Sequence, residues 1–159
     1  RRAEDTYGVS AASHDLRQTV SSADVPTTTT PVRSPIVDAD AVRPGTHINA
    51  SGGDAPGKQE LDPAILQAAK LVVDNWEQAS HGGEINVALS EGLIGRGDVY
   101  ADIGQIVVGA RPARETDEEI TVFDSTGLAA QDLACAAHVY RRLVVEGDPS
   151  GLAAVDFMR

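Results

Sequence analysis

The chain has 159 residues, a formal net charge of −11 and a hydrophobic fraction of 42%, which is enough for one domain with its own core. No apolar run approaches the roughly 20 residues of a membrane helix, so the composition argues against a membrane span. The negative charge argues against a nucleic-acid backbone as partner, because neutralising phosphates needs clustered Lys and Arg.

The use of cysteine points to a reducing compartment. Cys135 is the one cysteine, which excludes an intramolecular disulfide and a site built from several thiolates. Without an apolar leader, the chain is expected in the cytoplasm. It begins with Arg1 rather than Met, which also fits a fragment of a longer protein.

The charged residues are rich in aspartate and poor in lysine, with two lysines against eleven arginines and fifteen Asp against nine Glu. Such a surface stays hydrated in concentrated salt, where charge repulsion is screened, so a salt-adapted source is one interpretation. A GC-rich genome that favours Ala, Arg, Gly and Asp is the alternative.

The first third of the chain predicts short elements separated by turns. Residues 1–23 indicate the end of a helix, a short strand at residues 9–12 and a helix from Asp15 to about Ser21. Pro26 and the threonines that follow it favour a strand running into a loop. Residues 42–45 are typical of a turn, and a strand is predicted over residues 46–50.

The middle of the chain begins with a loop at residues 51–58 that holds three glycines and a proline. Asp62 and Pro63 predict the start of a helix, as N-cap and first-turn residue. A strand is predicted over residues 71–75. Helical pieces interrupted by glycines follow, over residues 76–93.

The last third is predicted to end in a long helix. The spacing of apolar residues over 100–107 fits a helix or a strand equally, and residues 119–123 predict a clearer strand. Ser125-Thr126-Gly127 precedes a helix from Leu128 to about Glu146 with apolar residues on one face. Short strands alternating with helices predict an α/β fold with a layered sheet.

Three loops are candidates for a ligand site, because ligands of parallel sheets bind beyond the carboxyl ends of the strands. They are residues 27–30, 52–58 and 125–127, and each offers hydroxyls, small side chains or free N–H groups. We expect them to line one cleft.

Asp54 is the candidate proton-transfer group, since a carboxylate in a tight glycine loop can exchange a proton with an amine or imine. The alternative is an Asp that only caps its turn. Lys58 could hold a phosphate or orient a neighbour, or be a solvated lysine. Glu60 could pair with Lys58 or bond a backbone N–H near the next helix, in a structural role.

The sequence lacks the motifs of metal sites, serine-hydrolase nucleophiles and phosphate-binding glycine loops. The four histidines show no metal-ligand spacing, so no metal site is predicted. The sequence contains neither a GxSxG elbow nor a GxGxxG or P-loop pattern. Cys135 lies within the predicted helix, where an inert buried thiol is expected.

The most specific motif is the glycine loop, which reads Asn49-Ala50-Ser51-Gly52-Gly53-Asp54-Ala55-Pro56-Gly57-Lys58-Gln59-Glu60-Leu61. It resembles the signature of the ornithine cyclodeaminase/mu-crystallin family, which includes an archaeal type of alanine dehydrogenase. The likeness extends over roughly residues 20–146, with further matches at residues 42–49, 72–74, 83–84, 123–128, 131–132 and 139–140.

The resemblance implies a partial Rossmann-type domain in residues 1–127, with a parallel sheet that binds NAD or NADP. Residues 128–159 would form a C-terminal helix returning toward a second domain for substrate binding and dimerisation. The family's catalytic acid/base matches Asp54, and its substrate contact matches Thr126. The matched cofactor-contacting positions are Thr30, Ser51, Gly52, Gly53, Lys58 and Ser125.

The activity that the resemblance implies is conversion of L-ornithine to L-proline and ammonia by a homodimer. Alanine dehydrogenase or ketimine reductase activity is the alternative within the family. A mu-crystallin-like binding protein or an inactive remnant is the alternative of another class. Family members are longer, and the match is to their second half; the glycine fingerprint and the substrate-clamping Arg and Lys belong to the other half.

A partial sheet has a physical consequence. With its first strands missing, we expect apolar surface and unpaired backbone groups near residues 9–30 and 46–50.

Overall fold

The computed structural model describes residues 2–12, 14–145 and 147, and its centre is a parallel sheet of five strands. The strands are β1 (Thr27–Thr28), β2 (His47–Ala50), β3 (Lys70–Val73), β4 (Val99–Asp102) and β5 (Thr121–Asp124). They lie in the order β1-β2-β5-β3-β4, and every neighbouring pair is parallel. The α/β fold with a parallel sheet is therefore confirmed.

Short helices connect the strands. They are α1 (Arg2–Tyr7), α2 (Leu16–Ser22), α3 (Pro63–Ala68), α4 (Trp76–Gly82), α5 (Asn86–Ser90) and α6 (Ile103–Val107), with 3-10 turns at Ala39–Ala41 and Arg96–Asp98. Local side chains fix where three of them begin: Asp15, Asp62 and Asn75 accept N–H groups of the first turns of α2, α3 and α4.

The core lies on one face of the sheet. Strand alternation places Ile48, Leu71 and Val122 on this face, each at most 1% exposed. Buried residues of α3, α4 and α5 belong to the same cluster, including Ile65 and Ala79. This packing holds the carboxyl ends of the strands rigidly in register.

The opposite face of the sheet is more open. His47, Val72 and Phe123 are partly exposed there and line an apolar groove of about 290 Å³. β1 forms an edge of the sheet, and Val25 just before it is 57% exposed. The expectation of exposed apolar surface is thus confirmed near β1. For β2 the expected unpaired backbone groups are wrong, because this strand pairs with both β1 and β5, while its His47 lines the apolar groove.

One further prediction is wrong, and one ambiguous segment is resolved. Residues 9–12 form no strand and have no place in the sheet, and Val9 is 51% exposed. Ser10, Ala11 and Ala12 have no β-branched or aromatic side chain that would favour extension. The ambiguous stretch over 100–107 contains both alternatives, because β4 ends at Asp102 and α6 starts at Ile103.

The chain divides into two compact units, Arg1–Thr126 and Gly127–Arg159. In the second unit, α7 runs over Ala129–Tyr140 and continues as a π-helix over Arg141–Val145. Glu146, the predicted end of this helix, lies outside the described residues. Leu133 and Tyr140 on its apolar face are 71% and 62% exposed. Among the described residues, no helix is long and apolar enough to cross a membrane.

Candidate functional site

The three candidate loops leave neighbouring strands. β1, β2 and β5 are consecutive in the sheet and parallel, so their carboxyl ends meet at one edge. The ladder continues into the loops: the Ser51 N–H donates to the Thr28 carbonyl and the Ser125 N–H to the Ala50 carbonyl, each at 2.9 Å. The predicted convergence is confirmed for the backbone of this edge.

The Glu60 side chain links two of these loops by hydrogen bonds to Thr30 and Gly52. Its carboxylate accepts the Thr30 N–H at 2.6 Å and the Thr30 hydroxyl at 2.7 Å on Oε1, and the Gly52 N–H at 3.0 Å on Oε2. The side chain is fully buried. The structural role predicted for Glu60 is confirmed, but the partners differ from those expected, because Lys58 pairs with Asp54 instead.

Gly52 and Gly53 are required by the packing of the chain itself. A Cβ on Gly52 would lie 2.4 Å from the Thr30 carbonyl oxygen and 2.5 Å from the Glu60 carboxyl group. A Cβ on Gly53 would lie 2.7 Å from the Glu84 backbone nitrogen. Because these two glycines have no Cβ, the loop backbone can approach the buried residues closely. The side chains of Ser51 and Asp54, on either side of the glycines, are exposed.

Asp54 is exposed and forms an ion pair with Lys58, four residues further along the loop. The Lys58 ammonium donates a hydrogen bond to the Asp54 carboxylate, and this bond with its charge lowers the pKa of Asp54. Asp54 therefore stays ionised at neutral pH and is available as a base. The Asp54 carboxylate is thus bonded to the Lys58 side chain as well as to a backbone group of its own residue.

Two further buried carboxyl groups lie under the loop. The Glu84 carboxyl accepts the N–H groups of Glu60 and Leu61 at 2.8 and 2.7 Å. Burial raises the pKa of Glu84 to about 8 and that of Asp124 to about 7. Asp124 Oδ1 is buried without a hydrogen-bond partner, which adds to the cost of ionising this group.

These raised pKa values predict how stability depends on pH. Between the ordinary carboxyl pKa and the folded value, the folded chain binds protons that the unfolded chain has released. Stability therefore falls as pH rises from about 4.5 through about 8, with a limiting slope of about 1.4 kcal/mol per pH unit for each proton. Glu84→Gln is expected to remove roughly half of this slope in urea titrations from pH 5 to 8. The exposed Glu91→Gln is the control, and a wild-type slope in Glu84→Gln would contradict the assignment.

The third loop is held by another buried acid. Asp74 follows β3 and accepts the Thr126 N–H at 2.7 Å and the Thr126 hydroxyl at 3.0 Å. Ser125 and Thr126 are both half-buried. Thr126 therefore has a fixed position beside the end of β5.

Sequence reasoning missed these supporting carboxylates. Glu84, Asp74 and Asp124 lie inside the segments that carry the resemblance, but nothing local indicates their contacts, which span 23 to 52 residues. Cys135 was expected to be buried and is exposed on α7, so that prediction is wrong. Within the described part of the chain, no group of three or more His, Cys, Asp or Glu side chains could hold a metal ion.

The donor set of the edge fits the nicotinamide end of a dinucleotide. Hydroxyls at Ser51 and Ser125 suit ribose hydroxyls and a carboxamide, the Thr30 hydroxyl donates to Glu60 and can still accept, and Lys58 adds a cation beside them. The sequence has no GxGxxG loop for the pyrophosphate. The residues present thus fit one half of such a cofactor.

Comparison with known proteins agrees with this geometry. A sequence model described as the ornithine cyclodeaminase/mu-crystallin family matches residues 1–147. An alanine dehydrogenase from Archaeoglobus fulgidus is 59% identical over 133 residues, which cover 84% of this chain and 41% of that protein.

Two solved structures have the same fold. One is an archaeal alanine dehydrogenase dimer with bound NAD, 52% identical with a TM-score of 0.87, matched over 99% of this chain and 48% of that one. The other is the iminosuccinate reductase of Paracoccus denitrificans in complex with NAD+, 35% identical with a TM-score of 0.84, matched over 92% and 45%. The chain spans less than half the length of these relatives. With its glycine loop, its buried acids and these matches, the chain belongs to the ornithine cyclodeaminase/mu-crystallin family.

Proposed function

We propose that the protein is an NAD- or NADP-dependent oxidoreductase that acts on a small L-amino acid, with L-alanine as the first candidate. The observation that carries this proposal is the ionised Asp54 at an edge lined by Thr30, Lys58 and Ser125. The 59% identity to an alanine dehydrogenase favours L-alanine over L-ornithine. In the balanced reaction, L-alanine, NAD+ and water give pyruvate, ammonium, NADH and a proton.

In this proposal the edge of the sheet binds and orients the nicotinamide. Thr30, Lys58 and Ser125 hold it, together with the backbone of Ser51, Gly52 and Gly53. When bound, the cofactor accepts a hydride from the substrate α-carbon. Thr126 contacts the substrate.

In this proposal Asp54 is the general acid/base. Its carboxylate accepts a proton when water adds to the imine carbon, and returns a proton to the nitrogen that leaves as ammonia. Lys58 keeps this carboxylate ionised in the resting protein. The Asp54 side chain is 64% exposed, so its carboxylate can also exchange protons with solvent.

We further propose that the units of this chain serve different parts of the protein. Residues 1–127 supply the nicotinamide side of a Rossmann-type domain, and residues 128–159 return toward a substrate and dimerisation domain. The exposed apolar side chains of α7 support the second assignment.

An amino-acid panel tests the proposed function. The protein at its native length is incubated with NAD+ or NADP+ and with L-alanine, L-ornithine or L-aspartate, and the absorbance of reduced cofactor at about 340 nm is followed. We expect reduction with L-alanine and release of pyruvate. Lack of turnover with every amino acid and both cofactors, in a protein that is folded, would overturn the proposal.

A cyclodeaminase is the second candidate, because the matching family model carries that activity in its name. Its reaction returns the hydride to the product, so it shows no net change in reduced cofactor. Release of L-proline and ammonia from L-ornithine without accumulation of NADH would favour it.

A further inference from the structure

The Asp74 carboxylate accepts both hydrogen-bond donors of Thr126. Asp74 is 5% exposed, and its carboxylate takes both donors of Thr126: the N–H at 2.7 Å on Oδ2, and the hydroxyl at 3.0 Å from each oxygen. Asp74 Oδ1 also accepts the N–H of Asn75 at 2.7 Å. One buried carboxylate thus receives the N–H groups of Asn75 and Thr126 and the Thr126 hydroxyl.

In this arrangement both Asp74 carboxyl oxygens act as hydrogen-bond acceptors. A carboxylate that accepts several hydrogen bonds is stabilised in its charged form, and an ionised carboxylate can only accept. The Thr126 hydroxyl is therefore the donor in this pair.

The groups around the Thr126 hydroxyl decide whether it can donate a hydrogen bond to a ligand or only accept one. The other oxygen near its hydroxyl is Oε1 of Gln78 at 3.1 Å, which is also an acceptor. The single hydroxyl hydrogen is therefore directed into the protein. The two lone pairs of the oxygen can only accept hydrogen bonds from a ligand.

We propose that Asp74 is a positioning residue that makes Thr126 an obligate hydrogen-bond acceptor, so that the ligand group beside Thr126 is an N–H donor such as the amine of the substrate. The inference rests on the proposed function, which places an amino acid at this edge. Beyond the proposed function, the inference says that Thr126 accepts the hydrogen bond from the ligand, and that Asp74 is the residue responsible. An ammonium or amine is bound there in preference to a carbonyl oxygen, which has no hydrogen to donate.

The variant Asp74→Asn tests whether Asp74 makes the Thr126 hydroxyl a hydrogen-bond acceptor. The amide has one acceptor oxygen for two backbone N–H groups, and it sets an NH2 group beside the Thr126 hydroxyl, which then turns its hydrogen outward. Asp62→Asn is the matched control, because Asp62 is a helix N-cap where Asn serves equally well.

The readout is ligand affinity without turnover. The dissociation constants of L-alanine and L-lactate are measured by calorimetry on the native-length protein saturated with NADH. In Asp74→Asn we expect L-alanine to bind about tenfold more weakly, a loss of about 1.4 kcal/mol. L-lactate should change less than about threefold, because its hydroxyl can either donate or accept. The dissociation constant of NADH should match that of Asp62→Asn.

Two results would overturn the proposal. An equal weakening of both ligands would mean that Asp74 acts only on the fold, and unchanged binding of L-alanine would mean that the polarity of Thr126 is irrelevant. If the wild type binds neither ligand, the proposed function fails, and NMR decides the polarity separately. The Thr126 hydroxyl proton should then exchange slowly in the wild type and fast in Asp74→Asn; fast exchange in both overturns the inference.

Discussion

Asp54→Asn is expected to lower turnover of the native-length protein by about 10²- to 10⁴-fold, the range typical of losing a general acid/base. The amide has almost the shape of the carboxylate but cannot accept and return a proton. Asp54 is exposed, so the fold should tolerate the change. The dissociation constant for NAD should stay within about threefold of the wild type. Steady-state kinetics and fluorescence titration with NADH measure the two effects.

Its controls separate chemistry from surface charge. Asp117→Asn removes an exposed carboxylate outside the site and should leave turnover unchanged. Lys58→Gln removes the cation that lowers the pKa of Asp54, so the acidic limb of the rate profile for amino-acid oxidation should move to higher pH. Wild-type turnover in Asp54→Asn, or an acidic limb that does not move in Lys58→Gln, would contradict the assignment of Asp54 as the base.

Glu60→Gln is expected to cause the second large effect, on stability and cofactor binding together. The buried Glu60 carboxylate accepts both donors of Thr30 and the N–H of Gly52. In the amide, one acceptor oxygen is replaced by an NH2 group that faces one of these donors. Leaving a buried donor unpaired and losing a charge-assisted bond costs about 2–4 kcal/mol. Because the two loops that are proposed to contact the cofactor lose their common anchor, NAD should also bind at least about tenfold more weakly.

Urea unfolding and NADH titration check this prediction on the same samples. Glu77→Gln changes an exposed glutamate of α4 and is the matched control. Glu60→Asp keeps the charge on a shorter side chain and should rescue part of the stability. A Glu60→Gln protein with wild-type stability would show that this carboxylate does not anchor the loops.

Local sequence signals were enough for most of the fold. Asp62 and Pro63 mark the start of α3, and the glycine loop begins directly after β2, as the composition of each segment predicts. Because the strands alternate with helices, a parallel sheet follows, and its carboxyl edge brings the three loops together. Asp54 and Lys58 could be selected from this reasoning and from the resemblance.

The supporting acids could not be found in this way, because their contacts depend on the folded sheet. Glu84 reaches Leu61 across 23 residues, and Asp74 reaches Thr126 across 52. No spacing in the sequence distinguishes such a carboxylate from a solvated one. The exposure of Cys135 was missed for a related reason: a regular helix with an apolar face predicts burial, but α7 leaves this thiol exposed.

The most direct test of the central claim is a crystal structure of the native-length protein with bound NAD+. The account predicts that the nicotinamide lies at the carboxyl edge of β1, β2 and β5, against Thr30, Gly52 and Ser125, with Asp54 facing the substrate side of the ring. A nicotinamide bound away from this edge, or an Asp54 carboxylate directed away from the ring, would contradict it.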